Sequence, residues 1–239
     1  MAPSFVKQAR YNDAEAAFRK VVELVPGNAV GYKNLGAVYH YWGRPDDAIS
    51  MSKKSLAIQP TAAGYSNLGT LYWYQGHYSD AVPLYEKATE MDQENYMFWG
   101  NLGDAYSKVP ELIARAPEAW RRAAELIERQ LAVNPNDAYL RSRLAGLCSN
   151  VKDRTRALGE IARARRLAPN DPKVLFQSAS VYLDIGRRDQ AISALDLALQ
   201  NGYSIAEVRQ SPDLAELLKD PRLARLEKKP SAAAPGQRP

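Results

Sequence analysis

Tyr32-Lys33-Asn34-Leu35-Gly36-Ala37-Val38-Tyr39 decides how this 239-residue chain is to be read, because its pattern returns twice. Tyr65–Asn67-Leu68-Gly69–Tyr72 follows 33 residues later, and Trp99–Asn101-Leu102-Gly103–Tyr106 follows 34 after that. Within each copy the aromatic, Leu, Gly and second aromatic stand at i, i+3, i+4 and i+7, which is one face of a helix. A period near 34 is the mark of stacked helical hairpins, each too small to bury its own core.

Working outward, the units align on Pro26, Pro60, Pro135 and Pro169, with Gln93 in the same place in the third. Proline cannot continue a helix, so each marks the end of a hairpin. Upstream of each boundary lies a second helix with a small–large–small set spaced by four and three. The sets are Ala14/Phe18/Val21, Ala48/Ser52/Ser55, Ala81/Tyr85/Ala88, Ala157/Ile161/Ala164 and Ala191/Leu195/Ala198. Small residues let two helices approach closely, and Gly43, Gly76 and Gly186 suit the turns between paired helices. The expected fold is all-α, a solenoid of stacked antiparallel helix pairs.

These linked positions resemble the tetratricopeptide repeat over roughly Phe5 to Leu199. The resemblance implies a right-handed superhelix whose first helices line the concave side. Five full hairpins are expected at 29–61, 62–95, 96–137, 138–171 and 172–202, after a partial unit at 1–28 that is mainly a second helix. The unit at 96–137 carries about eight extra residues near 108–118, bounded by Pro110 and Pro117, with Pro117 suited to the start of a helix. The unit at 138–171 has Arg141, Ala145 and Cys148 where the family prefers Trp, Gly and Tyr, which predicts different packing volumes and a local change of twist.

The ends carry separate expectations. Ser204-Ile205-Ala206-Glu207 reads as a capping box, and Ser211-Pro212 and Asp220-Pro221 as N-caps followed by proline, so capping helices are expected over 203–226. Leu214, Leu217, Leu218, Leu223 and Leu226 would cover the last hairpin. Residues 227–239 are too poor in apolar side chains to fold and read as disordered. Only Phe5 and a few neighbours remain of a first helix before residue 11, so either that helix is short and frayed or, as the favoured reading, the chain is cut from a longer one; an uncapped N-terminal helix could also pair with a second copy. The segment Gly202–Glu207, Pro212–Leu214 and Asp220–Leu223, with the Trp99–Tyr106 opening, resembles the C-terminal repeat regions of bacterial signalling proteins: serine/threonine kinases, nucleotide cyclases and winged-helix regulators. That resemblance implies a regulatory or docking region whose effector domain is not among these residues.

Composition narrows the function. The chain is 46% hydrophobic and 25% charged, with net charge +5. Residues 141–190 hold eleven Lys/Arg against five acids, a bias that attracts polyanions but is more often a solvated helix face. Nucleic-acid binding is therefore the least favoured reading. Cys148 is the single cysteine, so no internal disulfide forms, which fits a reducing, cytoplasmic setting. Residues 1–10 lack the apolar core of a secretory signal, and no stretch reaches the ~20 apolar residues of a membrane span. His40 and His77 lie in different units, no phosphate loop or nucleophile elbow is present, and Cys148 on the packing stripe reads as an inert thiol. Neither an enzyme, a metal nor a cofactor is expected.

The candidate binding face consists of residues two, five and nine past each opening aromatic, with their neighbours: Lys33, Asn34, His40, Tyr41, Asn67, Thr70, Trp73, Tyr74, Asn101, Asp104 and Lys108. Asn34, Asn67 and Asn101 form a possible ladder, since an amide offers both a donor and an acceptor to the backbone of an extended peptide. The repeat region of O-GlcNAc transferases looks similar. The competing reading is that these asparagines serve helix packing. His40, Tyr41, Trp73 and Tyr74 would add aromatic anchors, with inter-repeat packing as the stronger alternative for Trp73. Lys33 and Asn67 match the carboxylate clamp of the chaperone-binding subfamily, but Ala37, Met97 and Asn101 depart from it, so a C-terminal Glu-Glu-Val-Asp ligand is not expected. The reading is a non-catalytic scaffold that binds an extended segment of a protein partner.

Overall fold

The structure, a computed structural model, describes residues 5–209 and 211–223, with the backbone alone at 5–9 and 212. Every regular element among them is helical. The chain divides into two compact units, Met1–Ala119 and Trp120–Pro239.

The first unit contains α1 (Phe5–Leu24), α2 (Ala29–Trp42), α3 (Pro45–Ile58), α4 (Ala62–Tyr74), α5 (Tyr78–Met91) and α6 (Tyr96–Lys108). A 3-10 helix, Pro110–Arg115, follows, and α7 (Ala116–Val133) runs through the division. The second unit contains α8 (Ala138–Asn150), α9 (Arg154–Leu167), α10 (Pro172–Asp184), α11 (Arg188–Gln200), α12 (Ile205–Val208) and α13 (Pro212–Leu217). Consecutive helices pack as pairs: α2 with α3, α4 with α5, α8 with α9, α10 with α11. Phe5 and its neighbours form the opening turns of α1. The eight extra residues are taken up largely by the 3-10 helix, and α7 starts at Ala116, one residue before Pro117.

Local chemistry explains where the helices begin. Each first helix opens on a side-chain cap: Asn28 Oδ1 accepts from Gly31 N at 2.8 Å, Thr61 Oγ1 from Gly64 N at 3.0 Å, and Asn95 Oδ1 from Met97 N at 3.1 Å. Asp137 Oδ1 accepts from Leu140 N at 2.9 Å, and Asp171 Oδ1 from Val174 N at 3.0 Å. Each satisfies an amide that the helix itself leaves unpaired. The turns inside the hairpins place Gly43, Gly76 and Gly186 at φ 78°, 77° and 82°, the left-handed region that costs glycine little. Lys152 takes this position in the fourth hairpin at φ 67°.

Three of the five small–large–small sets are fully buried; in the first Val21 is exposed and Ala14 and Phe18 are half-buried, and in the second only Ala48 is buried. Ala81, Tyr85 and Ala88 are buried, as are Ala157, Ile161, Ala164, Ala191, Leu195 and Ala198. Leu35, Tyr39, Ala48, Ile49, Leu56, Leu68 and Leu71 make one apolar cluster in the first unit, with Phe18, Val22 and Tyr72 against it. In the fourth hairpin Arg141 stands where the third has Trp99. Trp99 Nε1 donates to the Gln93 carbonyl at 2.8 Å, and Arg141 Nε donates to the equivalent Pro135 carbonyl at 2.7 Å. Arg141 also pairs with Glu160 at 2.6 Å, both side chains being largely buried.

The closing segment differs from its reading in detail. Val208, Leu214, Leu217, Leu218 and Leu223 are buried, and α13 packs on α10. The hydroxyls of Ser204 and Ser211 make no cap bond, so the capping box does not form. Over Asp220–Leu223 the described chain is a turn, in which the Asp220 carboxylate accepts from Arg222 N at 3.0 Å and is clasped by the Arg222 guanidinium. Leu226 and the tail 227–239 lie outside the described residues.

Candidate functional site

All eleven candidate residues fall in the first unit, on α2, α4 and α6. These first helices are neighbours. The Asn101 amide donates to Ser66 Oγ at 3.3 Å, from α6 to α4, and the His40 ring stacks on Tyr74 with centroids 5.8 Å apart and planes at 14°, from α2 to α4.

The asparagines are not equivalent. Asn67 is exposed and Asn34 half-buried, and neither amide is hydrogen-bonded among the described residues. Asn101 is half-buried and spends one donor on Ser66. Two rungs of the ladder are thus open, and the third is tied between helices.

The aromatic residues also divide. Tyr41 is 73% and Tyr74 48% exposed, and His40 lies between them, its ring 5.4 Å from that of Tyr41. Burial holds the His40 imidazole below its ordinary pKa, so it is neutral at pH 7. Trp73 turns away from this group and meets Tyr78 of α5 edge-on at 4.7 Å. It packs within its own hairpin.

Thr70 faces inward. Its hydroxyl lies 3.0 Å from the Ser66 carbonyl, to which it donates, and 3.1 Å from Tyr85 Oη. Asp104 is half-buried, with its carbonyl accepting from Ser107 Oγ at 2.7 Å. Lys33 and Lys108 are exposed at the two ends of the face. The structure therefore gathers Asn34, His40, Tyr41, Asn67 and Tyr74 into one accessible surface. Exposed Val30 and Met97, at the first turns of α2 and α6, border the same helices. Val30 was not legible as a surface residue because valine in a helix opening reads as core.

Sequence patterns described as tetratricopeptide repeat match residues 1–63, 66–107 and 172–201. The chain belongs to the tetratricopeptide-repeat family. A thermophilic tetratricopeptide-repeat protein of Thermus thermophilus has a similar structure, with TM-score 0.58 and 20% identity over 80% of this chain and 98% of that one. Cut9 in its hetero-tetramer with Hcn1 also has TM-score 0.58 at 20% identity, over 88% of this chain and 40% of that one. The pilus biogenesis factor PilW has TM-score 0.57 at 16% identity, over 94% of each chain. At such identities the likeness concerns the fold. No curated protein sequence matches this tetratricopeptide-repeat chain.

Among the described residues no group of His, Cys, Asp and Glu could hold a metal, and no helix is long and apolar enough to cross a membrane. In the second unit, part of the basic excess is paired internally: Arg141 and Arg163 with Glu160, and Arg156 with Glu128.

Proposed function

We propose that the first-helix face of α2, α4 and α6 binds an extended segment of a protein partner and catalyses no reaction. The observation that carries this is the juxtaposition of two open amides, Asn34 and Asn67, with the exposed Tyr41–His40–Tyr74 group. The amides sit at equivalent positions of adjacent first helices. Each can accept from and donate to a peptide backbone whatever its side chains, while the aromatic group selects an apolar or aromatic anchor. Asn101 joins by trading its long bond to Ser66 for one to the ligand. A soluble, cytoplasmic setting accords with the single cysteine.

Selection from a random-peptide display library tests this. Bound peptides should lose roughly 10- to 100-fold in affinity to Asn34→Ala/Asn67→Ala/Asn101→Ala, at ~1 kcal/mol per bond. They should lose a comparable factor to Tyr41→Ala/Tyr74→Ala. Undiminished affinity in a folded triple variant would contradict the ladder.

A second reading is that this array is the regulatory region of a larger bacterial signalling protein. What supports it is the resemblance of the Gly202–Leu223 stretch to the closing segment of such regions. An open frame running from an effector domain into this chain would support it further.

A further inference from the structure

Five first helices carry the residues Tyr39, Tyr72, Tyr106, Cys148 and Tyr182 at one register. Two of the tyrosines show how the position is used. Tyr39 Oη donates to Glu15 at 2.7 Å and accepts from Arg19 at 2.9 Å, while the Arg44 guanidinium lies 4.5 Å above its ring. Tyr106 Oη donates to Glu86 at 2.6 Å, and Arg115 both pairs with Glu86 at 3.0 Å and covers the ring at 4.3 Å. The phenol is held between a carboxylate on the preceding second helix and a guanidinium that follows it in sequence.

In the fourth hairpin the phenol is gone but its holders remain. Glu128 stands seven residues before Pro135, as Glu86 stands seven before Gln93. Arg156 follows Cys148 and pairs with Glu128. Beside Cys148, between these holders, lies an open pocket of about 240 Å³. Its apolar part is Trp120, Ala124, Leu147, Cys148 and Val151, and its polar edge carries Glu128 with Arg156, and also Arg121, Glu125 and Asp153. An apolar cavity of about 150 Å³ already admits benzene, so a substituted phenol fits. Burial pushes the Cys148 thiol up to about 11, which keeps this floor neutral and unreactive at pH 7.

We propose that this cavity is a binding site for a small phenol, its ring on Cys148 in the place of the missing tyrosine and its hydroxyl donated to Glu128. Arg156 covers the ring face, as Arg115 covers Tyr106. Three carboxylates, Glu125, Glu128 and Asp153, against two guanidiniums, Arg121 and Arg156, disfavour an anionic ligand such as a benzoate, and an unsubstituted hydrocarbon leaves the polar edge without a partner.

The test uses the full chain with 4-methylphenol as probe, followed by ligand-observed NMR and thermal shift, with toluene and 4-methylbenzoate as comparators. Saturable binding of 4-methylphenol is expected, in the millimolar range or tighter for so small a molecule. Cys148→Tyr should abolish it by supplying the ring covalently. Ala124→Leu, which fills the cavity from α7, should abolish it independently, so a fold defect in one variant does not decide the matter. Glu128→Gln should reduce the preference for 4-methylphenol over toluene by roughly tenfold, the share of one charge-assisted hydrogen bond. Absence of saturation, binding that survives both filled variants, or equal binding of toluene and 4-methylphenol would overturn the proposal.

Discussion

The same substitution, glycine to alanine inside a helix, should have opposite effects at Gly69 and Gly159. In a helix interior alanine is better than glycine by about 0.5–1 kcal/mol, because glycine loses more backbone freedom on folding. A Cβ at Gly159 of α9 would meet nothing within 4 Å, so that gain should appear undiminished. A Cβ at Gly69 of α4 would stand 2.9 Å from Tyr85 Cε1 and 3.1 Å from Cδ1 and Cζ. The ring cannot give way easily: it is 2% exposed and its hydroxyl lies 3.1 Å from Thr70 Oγ1. Overpacking of this kind costs about 1–3 kcal/mol, which outweighs the propensity gain and leaves a net loss of roughly 1–2 kcal/mol. Calorimetry and urea unfolding should show Gly159→Ala raising Tm by ~2–4 °C and Gly69→Ala lowering it by a similar or larger amount. Adding Tyr85→Leu to Gly69→Ala should be markedly non-additive, with a coupling of about 0.5–3 kcal/mol. A Gly69→Ala protein as stable as the parent would refute close helix approach as the reason for glycine at this position.

Three further outcomes follow from single sites. Lys152→Gly should stabilise by about 1 kcal/mol in urea unfolding, because a lysine now holds a left-handed φ that glycine adopts without strain. Arg141→Ala should cost ~2 kcal/mol or more, since it strands the largely buried Glu160 carboxylate, whereas Arg163→Ala, on an exposed pair with the same carboxylate, should cost a few tenths. His40 has a folded pKa below its unfolded value, so the unfolded chain binds more protons between the two. Its contribution is complete above the ordinary histidine value of about 6.5 and is lost as pH falls through the folded one. Urea midpoints measured between pH 8 and pH 5 should therefore drop less steeply in His40→Gln than in the parent.

The fold was legible because its determinants are local and repeated. Pro26, Pro60, Pro135 and Pro169 sit beyond the ends of second helices, and the spaced alanines from Ala48 onward have no exposed surface. What failed rests on partners distant in sequence. Thr70 reads as a surface position from its register, but its hydroxyl is taken by Tyr85 of the neighbouring helix. Cys148 reads as an inert core thiol, and its chemistry is inert. The consequence of its size, a cavity beside Glu128 and Arg156, needs three helices in place before it can be seen. The register itself held the signal, since Cys148 breaks a run of tyrosines.

The most direct test of the proposed binding face is to map a library-selected peptide onto the isotope-labelled chain by amide and side-chain NMR shifts. The account predicts that the shifts centre on α2 and α4, with the Asn34 and Asn67 side-chain amides and the Tyr41, His40 and Tyr74 rings perturbed most. Perturbations confined to the second helices α3 and α5, or to residues 120–223, would place recognition elsewhere and contradict it.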